Sequence, residues 1–190
     1  MINLIIFGAP GAGKGTQAEV LSKEYKLKHI STGELLREQI SKKSPLGEKV
    51  KKYLTSGDLA PDNLIIEIIK DTISSKKNNG FIFDGFPRTP KQAEAFDLML
   101  KEKDQSIKTV FVLEVPETEL ISRLQKRAKD LGRSDDSSLE TIKKRLRIYK
   151  EKTEELINYY QKQGKAISIN GVGSVENVNK NIKNEIDKLA

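Results

Sequence analysis

The apolar run Ile2-Asn3-Leu4-Ile5-Ile6-Phe7 passes directly into Gly8-Ala9-Pro10-Gly11-Ala12-Gly13-Lys14-Gly15-Thr16-Gln17. A nearly continuous apolar strand is one buried on both faces, which calls for helices above and below a sheet. The glycines that follow permit a tight turn whose successive N–H groups point inward around an anion. A helix starting near Gly13 adds the partial positive charge of its N-terminus. Lys14 adds a full charge, with the reach of the β and γ phosphates of a nucleotide. An ordinary glycine turn needs neither the lysine nor the strand before it. Strand, loop and helix together predict a phosphate-binding loop in an α/β fold.

One position differs from the general Walker A pattern, which places Ser or Thr directly after the lysine to ligate magnesium. Gly15 stands there, and Thr16 follows. The expectation is therefore no direct protein ligand, with magnesium held by phosphates and positioned waters.

The rest of the chain repeats the theme. Five β-rich runs, at 2–7, 28–30, 81–84, 109–115 and 166–169, alternate with helical stretches such as 17–25 and 139–162. Such alternation predicts a parallel sheet with helices on both sides. The closing segment sets Val175, Val178, Ile182, Ile186 and Leu189 on one stripe, as in a packing helix. Two segments stand outside the pattern. Residues 31–60 hold short helical patterns broken by Pro45, Gly47 and Gly57, and residues 128–137 are polar and loop-like. Ligands of open α/β sheets sit at the carboxyl ends of the strands, and both segments are placed to cover that cleft.

A chain of 190 residues is read as one domain with a sizeable core. The absence of cysteine excludes a disulfide framework and a cysteine-ligated zinc. No apolar stretch approaches the ~20 residues of a membrane span. The first strand is too short for a signal peptide and lacks its charged start, so a cytoplasmic location is expected. The net charge of +7 admits nucleic acid as a partner. The lysines are interleaved with acids and aromatics are few, which points instead to a solvated surface and small anionic substrates.

Of 34 basic residues only seven are arginine: Arg37, Arg88, Arg123, Arg127, Arg133, Arg145 and Arg147. Lysine serves for generic surface charge here. Arginine is needed where a planar fork must grip phosphate oxygens in two places. Arg123 and Arg127, four apart, share a helix face. Arg147 is read as a surface salt-bridge partner. Asp84 ends an apolar strand, the place of a carboxylate that helps hold magnesium or its waters. His29, the only histidine, is read as an ordinary strand residue.

Taken together, Gly8-to-Gln17, Ser31-Thr32-Gly33-Glu34-Leu35-Leu36-Arg37, Asp84-Gly85-Phe86-Pro87-Arg88-Thr89, the Arg123/Arg127 pair, Gly132-Arg133-Ser134-Asp135-Asp136 and Lys144-Arg145-Leu146 resemble the adenylate kinases, within the nucleoside-monophosphate kinases, over essentially the full length. The Gly15 departure is that family's own form, and Glu34 stands where its usual Asp would. The resemblance implies a five-stranded parallel sheet of the P-loop NTPase type with helices on both faces. It adds a small helical NMP-binding insertion at 31–60 and a short lid at 126–137 without a zinc-binding insertion.

The resemblance also implies roles. Gly11, Ala12, Gly13, Lys14, Gly15 and Thr16 would cradle ATP, with Arg127 on its phosphates and Gly173 against its adenine. Thr32, Arg37, Asp58, Leu59, Ala60, Gly85, Phe86, Pro87, Arg88 and Gln92 would bind AMP, Gln92 by reading the base. Arg133 and Arg145 would join the AMP side and close on phosphates as the lid shuts. Lys14, Asp84, Arg88, Arg123, Arg127, Arg133 and Arg145 would form the catalytic set. The implied reaction is MgATP + AMP ⇌ MgADP + ADP, by a cytoplasmic monomer without zinc, nucleic acid or membrane. A UMP/CMP kinase is the nearest alternative, and Thr89 and Gln92 favour AMP over it. A guanine-nucleotide switch would need Asn-Lys-x-Asp, which the sequence lacks. The arginine placement further suggests that the two covering segments close only when both nucleotide sites are filled.

Overall fold

The structure is a computed structural model and describes residues 1–74, 79–136 and 138–188. Its centre is a five-stranded sheet in the order β2-β3-β1-β4-β5. The strands are β1 (Ile2–Gly8), β2 (Lys28–Ser31), β3 (Gly80–Asp84), β4 (Thr109–Glu114) and β5 (Ala166–Asn170). All pairings are parallel, as the alternation predicts. The register sets Ile6 and Ser31 opposite Asp84, and Gly8 opposite Leu113, so the carboxyl ends of four strands open onto one crevice.

Each face of the sheet is covered. Ile5, Phe7, Phe83 and Val112 pack on one side with Phe86, Phe96 and Tyr160. Leu4, Ile6, Ile82 and Phe111 pack on the other with Leu21, Leu124 and Ile182. Successive residues of β1 thus serve opposite cores, the period of two expected of a strand. Asn3, the one polar residue in that run, is fully buried. Its amide donates to Gln105 and to the Ser106 carbonyl and accepts from the Phe81 N–H, so it costs little to bury.

The helices are α1 (Lys14–Glu24), α2 (Thr32–Ser41), α3 (Pro45–Ser56), α4 (Asp62–Ser74), α5 (Pro90–Lys101), α6 (Glu117–Leu131), α7 (Leu139–Ile148), α8 (Glu154–Gln161) and α9 (Val175–Asp187). Ser31, Ser44, Thr89, Ser138 and Ser174 cap α2, α3, α5, α7 and α9 by accepting a backbone N–H. Several sequence expectations are corrected. Pro45 begins α3 at a position where its missing N–H is harmless, rather than breaking a helix. Residues 128–131 are the last turn of α6, and a short 3-10 turn at Ser134–Asp136 follows. The expected helix at 139–162 is interrupted by a π turn, Tyr149–Thr153. Val175 lies off the buried stripe at 42% exposure, and Leu189 falls outside the described residues.

Gly47 likewise lies inside α3 and breaks nothing. A Cβ there would stand 2.1 Å from the Gln39 carbonyl oxygen, so the glycine is what lets α3 touch the end of α2. In an exposed helix Gly→Ala stabilises by up to ~1 kcal/mol. Here Gly47→Ala should reverse the sign and destabilise by roughly 1–3 kcal/mol, the cost of overpacking. A lowered Tm checks this, and a raised one would mean that the helices separate freely.

Candidate active site

The crevice at the strand ends is a cavity of about 920 Å³. The glycine-rich loop forms its floor. Gly13 caps α1 with φ at 93°, a left-handed conformation that L side chains rarely adopt. Gly11, at φ 87°, lies where a Cβ would meet the Leu120 carbonyl at 3.0 Å. Lys14 Nζ donates to the carbonyls of Gly8 at 2.8 Å and Ala9 at 3.0 Å, bracing the loop from within. Burial lowers its pKa to about 8; Asp84 opposes the shift, while Arg88, Arg145 and Arg127 reinforce it.

That shift has a consequence for pH. A bound polyphosphate favours the charged lysine and raises its pKa. Between about pH 8 and the higher value in such a complex, polyphosphate binding at the loop should therefore take up a proton, and affinity should fall as pH rises. Calorimetry at about pH 8.5–9 in buffers of different ionisation enthalpy should show uptake approaching one proton, with little near pH 6. Equal heats in all buffers at the alkaline end would contradict it.

Arginines reach the same cavity from separated segments: Arg37 on α2, Arg88 after β3, Arg123 and Arg127 on α6, Arg133 beyond it, and Arg145 on α7. Arg88 Nε donates to the Gly85 carbonyl at 2.7 Å. Burial, and then the repulsion of Arg145, pull the Arg88 guanidinium below its ordinary value. Burial does the same to Arg145 and to Arg37. The pair Asp135 and Asp136 offsets part of this charge. Asp136 is buried and accepts from Arg127 Nε at 2.7 Å, and Arg145 reaches it as well. The Asp135 backbone carbonyl accepts from Arg145 at 2.9 Å, and its carboxylate lies 2.9 Å from the same nitrogen and 3.9 Å from Arg37. These carboxylates offset the charge of the three guanidinium groups and fix their directions.

Asp84 lies at the end of β3 beside the loop. Burial works against its carboxylate, but the imidazole of His29 and the charges of Lys14 and Arg88 outweigh it and hold the group below the usual range. His29 Nε2 is 3.9 Å from Asp84, an ion-pair distance too long for a direct hydrogen bond, and is buried without a hydrogen-bond partner among the described residues. This strand residue thus lines the cavity, more than its sequence context suggests.

On the opposite side, Thr32 Oγ1 donates to the Gly85 carbonyl at 2.8 Å. Gln92 accepts from the Arg88 N–H at 2.8 Å and donates to Asp62 at 2.8 Å, so its amide is already partly engaged. Asp58, Leu59 and Ala60 line the wall nearby, with Pro87. Arg123 donates to Glu119 and to the Gly171 carbonyl, near Gly173. Every site residue expected from sequence lines this cavity except Phe86. Phe86 is fully buried in the core, edge-on to Phe96 at 5.0 Å. Arg147, expected at the surface, lies 4.0 Å from Glu151 in an exposed pair.

Sequence reasoning assigned no role to Asp135, Asp136 or Asp62. The signal was two acids next to Arg133, but their burial belongs to the fold. Segments 31–60 and 126–137 touch through Arg37 and Asp135, and a Cβ on Gly57 would stand 2.9 Å from the Arg145 side chain. Lys144 of α7 also pairs with Asp58 at 2.8 Å.

The family model described as adenylate kinase matches residues 6–165. The adenylate kinase of Azobacteroides pseudotrichonymphae is 52% identical over 100% of this chain and 99% of that protein. That of Bacteroides fragilis is 48% identical over the whole of both chains. That of Thermus thermophilus is 45% identical over 92% of this chain and 91% of its own. Likeness of this extent joins a glycine loop and six arginines converging on one cavity: the chain belongs to the adenylate kinase family.

Proposed function

We propose that this cavity holds both nucleotides of the family's reaction at once and passes a phosphoryl group in line between them. The chain is an ATP:AMP phosphotransferase that converts ATP and AMP reversibly into two ADP. The observation that carries the site assignment is the convergence of Lys14 with Arg37, Arg88, Arg127, Arg133 and Arg145 on one cavity. Its size lies at the upper end of the range for small-molecule sites, as two nucleotides need.

In this reading ATP lies on residues 11–16, with its base against Gly173. AMP lies between the 31–60 insertion and Gly85, Arg88 and Gln92. Two polyanions repel each other, and that repulsion is the main obstacle to in-line attack. The arginines and Lys14 offset the charge as it moves between oxygens. The lid at 126–137 keeps out water, which would otherwise accept the phosphoryl group.

Magnesium accompanies ATP in this family's reaction. The residues present suit it. Asp84 is held ionised beside the loop, and a Cβ on Gly15 would come within 3.3 Å of its Oδ2, so Gly15 leaves that oxygen clear. Among the described residues no three His, Cys, Asp or Glu side chains converge, so phosphate oxygens and waters positioned near Asp84 would supply its ligands. When bound, the ion neutralises charge on the β and γ oxygens. Among the described residues no helix is long and apolar enough to cross a membrane. The proposal includes a monomer working in the cytoplasm without nucleic acid, a reading supported by lysines interleaved with acids and by a sequence without cysteine.

A coupled assay of ADP formation with ATP and AMP, UMP, CMP or GMP at equal concentration tests the acceptor. AMP should be turned over fastest. Faster turnover of UMP or CMP would overturn the assignment of the acceptor side.

A further inference from the structure

Gln17 belongs to the glycine-rich motif yet takes no part in the chemistry above. It sits on α1, almost one turn after Lys14, and is 3% exposed. A buried primary amide must find partners at both its ends. Both come from the far end of the chain. Nε2 donates to the Val175 carbonyl at 3.0 Å, and Oε1 accepts from Asn179 Nδ2 at 3.3 Å.

Val175 opens α9 and directly follows the turn that carries Gly173. The first half of that turn has its own supports. The Gly171 N–H donates to the Glu114 carbonyl at 2.8 Å, the Val172 N–H donates to Asn170 at 2.9 Å, and Arg123 reaches the Gly171 carbonyl at 3.3 Å. These tie it to β4, β5 and α6. Gln17 ties the second half to the helix that begins at the phosphate loop. Adhesion between α1 and α9 does not need this amide, since Ala18, Leu21, Val178 and Ile182 share one apolar core. A hydrogen-bonded amide in such a seam adds a fixed position more than it adds stickiness.

We propose that Gln17 is a positioning residue for the phosphoryl donor: it holds the turn at 171–175 at a set height over the phosphate loop, so that the sites for base and triphosphate form one unit. The inference rests on the placement of ATP proposed above. Its consequence is selective. Breaking the tie should weaken only a ligand that spans both sites. ATP spans them, inorganic tripolyphosphate touches the loop alone, and AMP lies on the other side.

Gln17→Met keeps length and packing but removes both hydrogen bonds. Asn179→Ala removes one bond and leaves the Val175 contact in place. Calorimetry gives Kd for ATP and for tripolyphosphate, and steady-state kinetics gives KM for ATP and AMP. In Gln17→Met, ATP should bind about tenfold more weakly, the scale of a lost buried hydrogen bond, while tripolyphosphate and the KM for AMP stay within about twofold. In Asn179→Ala the same selective loss should be about threefold, which keeps the inference testable should the first variant fold poorly. Equal weakening of ATP and tripolyphosphate would overturn it, because Gln17 would then merely support the loop. Unchanged ATP affinity in both variants would overturn it as well. Failure of the ATP placement itself looks different: the unsubstituted protein would then bind ATP no more tightly than tripolyphosphate.

Discussion

Replacing Arg88 with lysine should lower kcat by about 10²–10³-fold, and Lys14→Met should do at least as much damage, with the fold intact in both. The expected barrier is roughly 3–4 kcal/mol higher, the size of one lost oxyanion donor in a preorganised site. For Arg88 the reason is geometric. Its Nε is fixed on the Gly85 carbonyl at 2.7 Å, which aims the remaining guanidinium edge into the cavity. A lysine keeps the charge but presents a point instead of a fork, and has no second arm to hold its direction. For Lys14 the loss is double. Its ammonium braces the loop through the Gly8 and Ala9 carbonyls and, in the proposed placement of ATP, also offers a charge to the phosphates. Single-turnover rates with ATP and AMP, beside circular dichroism to verify the fold, provide the check. A near-normal rate in either variant would remove that residue from the catalytic set.

A ligand that joins two adenosines through five phosphates should bind at least about 10²-fold more tightly than ATP or AMP alone and compete with both. It engages the second site without a second association cost. In this structure Arg37 of one covering segment, Arg127 of the other and Arg145 of α7 already gather around Asp135 and Asp136. The ligand's task is therefore to exchange two carboxylates for phosphate oxygens, more than to draw distant arginines together. Because it binds only the folded chain, a concentration about a thousand times Kd should add about 4 kcal/mol of stability. For a protein of this length that corresponds to a rise in Tm of roughly 8–16 °C. Affinity no better than that of ATP alone would mean that the two sites do not converge, and the two-nucleotide reading of the cavity would fail.

The elements with local causes were legible in advance. The run at 2–7 is apolar at nearly every position because both sheet faces are covered, and the structure shows separate cores on its two sides. The loop from Gly8 to Lys14 announces itself because its positive-φ positions at 8, 11 and 13 need glycine, and glycine is visible in any sequence. The arginines stood out because lysine carries the ordinary surface charge of this chain. Each of these signals depends on a few neighbouring residues.

Other features were decided only by distant parts meeting. Gly47 read as a helix breaker, since nothing nearby tells that its missing side chain admits the Gln39 backbone. Phe86 sits in a motif whose neighbours line the cavity but turns into the core, edge-on to Phe96 and tilted against Phe83. Asp135 and Asp136 read as two more polar loop residues. Their importance comes from α6, α7 and α2 converging so that three guanidinium groups need anions in one place. Gln17 and Val175 are 158 residues apart, and their hydrogen bond depends on how α9 crosses α1. The sequence by itself determined the sheet, the loop and the chemical kind of the site, because period, glycine and charge type are local properties. Tertiary structure alone decided which carboxylates meet which arginines and which amide spans the seam, because those pairings follow from packing summed over the whole chain.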